Sequence, residues 1–513
     1  MAASNNKIAL ATTSQLAADA AAEIAELGGN AVDCAVAAAM CSINTQPGVC
    51  ALAGSAFVTV WKEGATPLTI DGNVAIPGMG LPAGAAPVIE TVKLDYGGGI
   101  ETLVGASSVA VPGTLAALHE VSERFGTLSW QKIMQPSIRA ARDGFPFAAA
   151  CHYYLGYAGD VIFGRSDDGH GALHDDDGRL LDAGSTIFVP HLADTLAAIA
   201  DEGPQIFYAG EIGKIITEHV QSHGGLLTMA DLQNYRPEVR NSLMVDVGDW
   251  KIAMNPPPAI GGANLAAMLL AFGTERFEEW NEDSLRRLVD TQRAVMSYRQ
   301  THLDTADDVD GPVAELLQLA SSDDFLASSA SGSTVHTSAV DQSGLGCAIT
   351  ASSGYGSGEM PHRTGLWLNN CLGELELNRD GLQAGPPGKR LPSNMAPGVG
   401  RSGDRVLAIG SPGADRITTA LHQFIVNFVQ IGLDLGDAVA HPRMHLKLDG
   451  NASDLAIEPG IDVPETGFSI SRFAEINMYF GGVVAALTDT DDAFEAAADP
   501  RREGGTYVGP GVE

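Results

Sequence analysis

The sequence predicts an α+β protein in which helices dominate the first part and short strands follow. Small and apolar residues recur at helical spacing in two runs, residues 16–27 and 31–40, which a Gly-Gly-Asn stop separates. Extended apolar segments predict strands at residues 56–61, 334–340 and 345–350. A chain of 513 residues exceeds the size at which a single hydrophobic core stops growing. Either several domains or one large layered domain is therefore expected.

The remaining elements follow from local patterns along the chain. Asn30 and Asp33 are expected to organise the start of the second helix. The Gly- and Asp-rich residues 160–184 predict a surface loop. Residues 305–333 are acidic and end in Ser, Ala and Gly, a composition typical of an exposed connector. Apolar periodicity predicts further helices at residues 113–125, 130–143, 191–200, 211–222, 264–272 and 284–302.

The composition is that of a folded protein with a large acidic excess. Its 63 Asp and Glu against 30 Lys and Arg give a formal net charge of -33, which disfavours nucleic acid and anionic membrane surfaces as partners. The N-terminal stretch has no basic start followed by an apolar run, which predicts a cytoplasmic protein. Six cysteines without a C-x-x-C pair fit neither a disulfide framework nor a zinc site, and most are expected to be small buried hydrophobes. His441 and His445 lack a third ligand at suitable spacing, so no metal and no cofactor are predicted.

The segment that carries the chemistry is the junction where the acidic connector meets a strand, Ser331-Gly332-Ser333-Thr334-Val335-His336-Thr337-Ser338-Ala339-Val340-Asp341. It resembles the start of the small subunit in the gamma-glutamyltranspeptidase family, which reads Thr-Thr-His-x-Ser-x-x-Asp. Thr334, His336, Ser338 and Asp341 stand at matching places, and Val335 departs at the second position. His336 shares a strand face with Thr334 but is expected to satisfy hydrogen bonds rather than to transfer protons.

The resemblance runs over nearly the whole chain in family order. Further matches are Gly28-Gly29-Asn30-Ala31-Val32-Asp33, Val111-Pro112-Gly113, Phe207-Tyr208-Ala209-Gly210, Leu227-Thr228-Met229-Ala230-Asp231-Leu232, Pro256-Pro257-Pro258 with Gly261-Gly262, Leu368-Asn369-Asn370, Lys389-Arg390 with Ser393, Gly410-Ser411-Pro412-Gly413 and Pro442-Arg443-Met444-His445. The resemblance implies a four-layer αββα sandwich of the N-terminal nucleophile hydrolase type.

It also implies that the chain cuts itself between Ser333 and Thr334. Segments 1–333 and 334–513 would then form one compact domain as two associated chains. A threonine that heads a chain has an α-amine whose ordinary pKa, ~7.7 to 8.0, lets it accept the proton of the attacking hydroxyl. The resemblance makes Thr334 the nucleophile, the N–H groups of Gly413 and Ala414 the donors to the oxyanion, and Ser352 a supporting hydroxyl.

The substrate-binding positions depart from the family pattern. Asn73 stands where the family uses an Arg for the α-carboxylate of the gamma-glutamyl group, and Glu374 replaces the Asp that receives the substrate amine. The assisting Gln becomes Cys371, and two carboxylate-binding serines become Ser393 and Asn394. Arg363 is a candidate replacement cation.

Three functions stay open at this stage. The family default is gamma-glutamyl transfer or hydrolysis of glutathione-like substrates. A second is cleavage of another acyl group, such as a dicarboxylic monoamide or a biosynthetic intermediate cut at a carbon-carbon bond, which Asn73 favours. The third is an uncleaved, inactive homologue with a binding role. The expected partners are a small acyl substrate and water or an amine as acceptor, and the oligomeric state is left open.

Overall fold

The computed structural model describes residues 6–82, 84–95, 99–304, 306–321, 334–378, 381–383, 385–448, 453–489 and 493–509. The α-helices are α1 Gln15–Glu26, α2 Ala31–Thr45, α3 Thr114–Phe125, α4 Trp130–Asp143, α5 Ala149–Ala158, α6 Asp167–Leu173, α7 Leu192–Glu202, α8 Gln205–Tyr208, α9 Glu211–Ser222, α10 Met229–Asn234, α11 Gly261–Phe272, α12 Glu282–Tyr298, α13 Asp310–Ala320, α14 Arg416–Ile425 and α15 Leu435–Ala440. 

The strands are β1 Ile8–Thr12, β2 Ser55–Trp61, β3 Leu68–Gly72, β4 Glu90–Leu94, β5 Ile100–Val104, β6 Phe145–Pro146, β7 Thr186–Ile187, β8 Glu238–Asn241, β9 Leu243–Val247, β10 Trp250–Met254, β11 Val335–Asp341, β12 Gly346–Ser352, β13 Gly398–Ser402, β14 Arg405–Gly410, β15 Met444–Lys447, β16 Asp454–Ile457, β17 Ser469–Arg472, β18 Val484–Thr488, β19 Phe494–Ala498 and β20 Gly505–Gly509.

Two stacked antiparallel sheets form the centre of the molecule. The first has the strand order β20-β1-β11-β12-β2-β3-β8 and the second the order β19-β18-β14-β13-β10-β9. Helices α1, α2 and α3 pack on the outer face of the first sheet, while α11, α14 and α15 pack on the second. Small and branched residues such as Ala9, Val340, Ala348 and Ala408 fill the space between the sheets, which lets the two sheets approach closely. The predicted four-layer α+β sandwich is confirmed.

The two sheets mix strands from before and after residue 334. The hairpin β11–β12 lies between β1 and β2, with Ala9 opposite Val340 and Val58 opposite Ile349. In the second sheet, β10 pairs with β13 across the same division of the chain. Residues 6–321 and 334–509 therefore share both sheets, and each supplies strands that the other needs to complete its hydrogen bonds.

A capping box starts the helix that supports the first sheet, as predicted. The Asn30 side chain accepts hydrogen bonds from the backbone of Val32 and Asp33, and Asp33 accepts one from the Asn30 N–H at 2.9 Å. The Asp341 carboxylate, at the far end of β11, accepts a hydrogen bond from the Ala31 N–H at 2.9 Å. The start of α2 is thereby fixed to the strand that begins at the predicted nucleophile.

Two segments contain more helix than the sequence predicted. Residues 160–184 were expected to be a surface loop but include α6, whose first turn is capped by the Ser166 hydroxyl. The expected connector 305–333 includes α13, which buries Val313, Leu316 and Ala320 at helical spacing. Its acidic composition hid this apolar stripe. Residue 305 and residues 322–333 of that connector, which include Ser333 of the predicted cut, lie outside the described residues.

The six cysteines agree with the expectation that most of them are small buried hydrophobes. All six cysteines are buried and unpaired as disulfides. Among the residues that the structure describes, no helix is both long enough and apolar enough to cross a membrane.

Candidate active site

Thr334 directly precedes β11 and lines a pocket at the ends of the interior strands β11, β12 and β2 of the first sheet. Side chains alternate along a strand, so Thr334 faces the second sheet together with His336 and Ser338, whereas Val335 packs on the helix side. Val335 pairs with Ala351, which puts Thr334 beside Ser352, the partner of Ser55 in β2. Thr334 is only 4% exposed, and Thr334, Ser352 and Ser55 all line the same pocket.

The imidazole of His336 is occupied by structural hydrogen bonds. Its Nε2 lies 2.9 Å from the Ser338 hydroxyl, which itself donates to the Val484 carbonyl, so Nε2 carries the proton. Its Nδ1 lies 2.7 Å from Oγ1 of Thr350 and accepts from that hydroxyl. Burial lowers the pKa of His336 to about 3. A neutral ring with both nitrogens engaged fits the structural role that the sequence predicted.

The turn after β14 brings strained backbone to the same pocket. Gly413 has φ 121° and Ala414 has φ 74°, and Ala414 lines the pocket together with Thr334. A left-handed conformation costs a residue with a Cβ about 1–2 kcal/mol. Gly413 is not a lining residue, and a Cβ there would lie 2.7 Å from Cα of Gly481. Strained backbone of this kind concentrates at functional sites, where the surroundings hold it in place.

An ion-pair cluster that the sequence did not point to lies directly behind this turn. Asp415 is buried and contacts Arg416 at 2.8 Å and His445 at 3.1 Å. Burial favours the neutral form, but Arg416 and His445 outweigh it and hold the pKa of Asp415 below its usual range. The only sequence signal was its position next to Ala414. His445, considered above as a metal ligand and as part of a family match, thus contacts Asp415 beside the turn.

The predicted substrate residues fall into two groups. Asn73, Cys371, Glu374, Ser393 and Asn394 line the pocket with Thr334. Arg363 does not, because it sits exposed in a turn with φ 65°.

Two of the amide side chains that line the pocket, those of Asn73 and Asn394, differ in their bonding. Asn73 donates its side-chain N–H to the Leu391 carbonyl, while its backbone carbonyl accepts from the Tyr235 hydroxyl at 2.6 Å. Asn394 is 5% exposed, yet neither its amide nitrogen nor its amide oxygen has a hydrogen-bond partner among the described residues. Buried amides of this kind are rare because desolvation without a partner costs about 1–3 kcal/mol. The amide of Asn394 therefore has both a donor and an acceptor to offer a bound molecule.

Comparisons with known proteins identify the family of this site. A family model described as gamma-glutamyltranspeptidase matches residues 17–509. The chain belongs to the gamma-glutamyltranspeptidase family. It is 30% identical to the glutathione hydrolase proenzyme of Pseudomonas aeruginosa over 98% of this chain and 95% of that relative. It is 29% identical to the acylase ACY 1 proenzyme of Pseudomonas sp. strain V22, over 84% and 81% of the two chains.

A solved structure supports the same fold. The cephalosporin acylase of Bacillus halodurans superposes with a TM-score of 0.80 at 23% identity, covering 98% of this chain and 96% of that one. Membership of the gamma-glutamyltranspeptidase family makes the chain an enzyme of the hydrolase and acyltransferase class, as the sequence predicted. Relatives named both glutathione hydrolase and acylase leave its own substrate to be argued from the pocket.

A buried carboxyl group, that of Glu374, lines this pocket. Glu374 is 6% exposed, and burial together with the nearby charge of Glu376 raises its pKa well above the usual range. Burial and Glu374 also raise the pKa of the Cys371 thiol, which disfavours its thiolate form. Among the described residues that line the pocket with Thr334, none is Lys, Arg or His.

Basic side chains line an adjoining pocket. It shares Leu377, Asn378, Leu391 and Pro392 with the first, and its lining includes Lys389 and Arg390. The Arg390 guanidinium donates to the backbone carbonyls of Asn73 and Arg236 and lies over the Tyr235 ring at 4.3 Å. Arg390 is thus engaged in holding the segment around Asn73.

Proposed function

We propose that the chain is an autoprocessing threonine hydrolase whose nucleophile is Thr334. The observation that carries the proposal is the meeting of Thr334, Ser352 and the strained Ala414 in one buried pocket. Internal attack of the Thr334 hydroxyl on the carbonyl of Ser333 forms an ester and breaks the Ser333–Thr334 amide bond. Water then hydrolyses that ester and leaves segments 1–333 and 334–513 as two chains in one fold.

The same hydroxyl then acts on substrate. Its oxygen bonds to the acyl carbon while its proton passes to the α-amine of Thr334. The N–H groups of Gly413 and Ala414 stabilise the negative oxygen. One such donor lowers the activation barrier by on the order of 3–4 kcal/mol. The amine returns the proton to the leaving group as the carbon-nitrogen bond breaks. Water or an amine then takes the acyl group from Thr334.

The pocket favours an acyl group that lacks a free α-carboxylate over the gamma-glutamyl group. The family recognises this carboxylate with an Arg, which can bind it through two hydrogen bonds. Here Asn73 takes the place of that Arg and donates its side-chain N–H to the Leu391 carbonyl. A second carboxylate beside Glu374 would be an unpaired buried charge. The amide of Asn394 and the protonatable Glu374 instead suit a neutral or amine-bearing acyl group.

Intact-mass spectrometry and anilide hydrolysis test the nucleophile. Wild-type protein should run as two chains with a threonine at the start of the second, Thr334→Ser should retain cleavage and measurable turnover, and Thr334→Ala should stay full length and inactive. Thr337→Ser is the matched control, since Thr337 lies on the same strand but bonds Thr12 on the helix side. Full-length, active Thr334→Ala would refute the proposal.

A panel of p-nitroanilides tests the acyl group. We expect 4-aminobutyryl and butyryl anilides to be cleaved with a higher kcat/KM than the gamma-glutamyl anilide, which differs from the first only by its α-carboxylate. Asn73→Arg should reduce the difference in kcat/KM between the 4-aminobutyryl and gamma-glutamyl anilides, because the new guanidinium can pair with the α-carboxylate. A preference for gamma-glutamyl in the wild type would restore the family default.

A further inference from the structure

A cluster of potential metal ligands lies at the end of α9 and plays no part in the chemistry above. His219 and His223 are four residues apart, and their rings stack with centroids 4.3 Å apart. Glu359 approaches them from the segment after Thr334, with Oε2 at 2.6 Å from Nε2 of His219. One ligand atom from each of the three side chains lies within 4.8 Å of the other two.

Two of these side chains are already oriented for binding. Nδ1 of His223 lies 2.8 Å from the His219 carbonyl oxygen, so Nδ1 carries the proton and Nε2 keeps a free lone pair. A backbone carbonyl is a common partner of this kind for a metal-bound histidine. Glu359 is held by its backbone, because its N–H donates to the Ser357 hydroxyl and its carbonyl accepts from the Leu368 N–H.

We propose that His219, His223 and Glu359 bind a divalent transition-metal ion of the Zn²⁺ class. Two imidazoles and one carboxylate are a preferred donor set for Zn²⁺, with water completing the tetrahedron. Binding breaks the hydrogen bond between His219 and Glu359. Nε2 of His219 gives its proton to solvent while Nδ1 takes one up, so the ring stays neutral, and the two side chains move apart to admit bonds of about 2.0–2.2 Å. The exposed edge of His223 gives the ion access from solvent.

Local charge favours a cation at this place. The carboxylates of Glu90 and Glu359 both flank Gly105, at 3.6 Å and 3.9 Å from the position of a Cβ there. Arg165 pairs with Glu90. The site therefore keeps a net negative charge before the ion arrives, and the net charge of the whole chain adds to the attraction.

The ion would also join the two segments of the chain. His219 and His223 precede Thr334 in sequence, whereas Glu359 follows it. If the proposed cleavage occurs, the metal becomes a direct bond between the two chains. Ion binding itself does not depend on the cleavage, so the two proposals can fail separately.

Calorimetric titration of chelator-treated protein with ZnCl₂ tests the site. We expect one ion per protein, with affinity reduced tenfold or more in His223→Ala and in Glu359→Gln, and a rise in melting temperature on adding Zn²⁺ that both variants lose. His170→Ala is the matched control, because His170 also stacks on a histidine four residues away, at 4.1 Å, and is exposed.

Co²⁺ gives a second, spectroscopic readout. Visible absorption of a tetrahedral Co²⁺ complex should appear with the wild type and with His170→Ala but not with His223→Ala. The proposal is overturned if the wild type binds no Zn²⁺, or if His223→Ala and Glu359→Gln bind it as tightly as the wild type.

Discussion

Replacing Gly410 by alanine should drive a methyl group into the ring of His336. A Cβ at Gly410 would lie 2.1 Å from Cε1, 2.3 Å from Nδ1 and 2.5 Å from Nε2 of that ring. The ring would have to move by roughly 1.4 Å or more to bring Cε1 to the ordinary van der Waals separation of about 3.5–4.0 Å. It is held by Thr350 at 2.7 Å and Ser338 at 2.9 Å, so the shift would break at least one buried hydrogen bond.

The expected loss in the free energy of unfolding is about 2–6 kcal/mol. Overpacking a core contributes about 1–3 kcal/mol, and an unsatisfied buried polar group adds about 1–3 kcal/mol. Urea denaturation in a Thr334→Ala background measures this loss on a continuous chain. Processing in the otherwise wild-type chain should also slow, because His336 and the nucleophile share one face of β11.

A double-mutant cycle with His336→Ala provides the control. Without the ring, the methyl group of Gly410→Ala has room, and its cost should fall below about 1 kcal/mol. The reasoning fails if Gly410→Ala is as stable as its parent, or if its cost is the same with and without the His336 ring.

Three further predictions concern the site and its supports. Ala414→Gly should relieve about 1 kcal/mol of left-handed strain and keep both processing and turnover. Ala414→Val should lower stability, processing and turnover. Melting curves measure the stability of both variants, and initial rates measure their processing and turnover. Since the pKa of His336 is lowered to about 3 in the fold, its stabilising effect is complete above its ordinary pKa near ~6.5 and is lost as the pH falls, by about 2 kcal/mol at pH 5. His336→Gln should therefore lose less unfolding free energy between pH 7 and 5 than the wild type. Iodoacetamide at pH 8 should leave activity intact, because the buried Cys371 thiol stays protonated, and labelling of Cys371 would contradict its raised pKa.

Local patterns predicted most of the helices but little of the sheet pairing. The predicted helix at residues 211–222 coincides with α9, and that at 130–143 with α4. Among the helices that the sequence did not predict, α13 is instructive because its acidic surroundings suggested a linker while its apolar stripe was too short to stand out. The order of strands in the second sheet has no local signal, since each pair joins residues distant in the chain.

The site was predicted through resemblance rather than spacing. Asn73, Thr334 and Glu374 line one pocket although long stretches of chain separate them. Arg363 was proposed as a replacement for the family Arg that Asn73 displaces. Its local sequence did not indicate that its side chain is exposed to solvent. The cluster of His219, His223 and Glu359 was not predicted because, like the order of the strands, it joins residues that are distant in the chain. Its histidines lie on one helix and its carboxylate far along the chain, where no spacing rule connects them.

The placement of β11 and β12 between β1 and β2 has a consequence for recovery from denaturation. Before a cut at Thr334, refolding is a first-order search within one molecule. After the cut, each fragment lacks the strands that its own backbone N–H and C=O groups pair with in the sheets. Renaturation then requires two molecules to meet, so its yield falls on dilution. Once cleaved, the protein would therefore recover its native state less readily after denaturation than the uncut chain does.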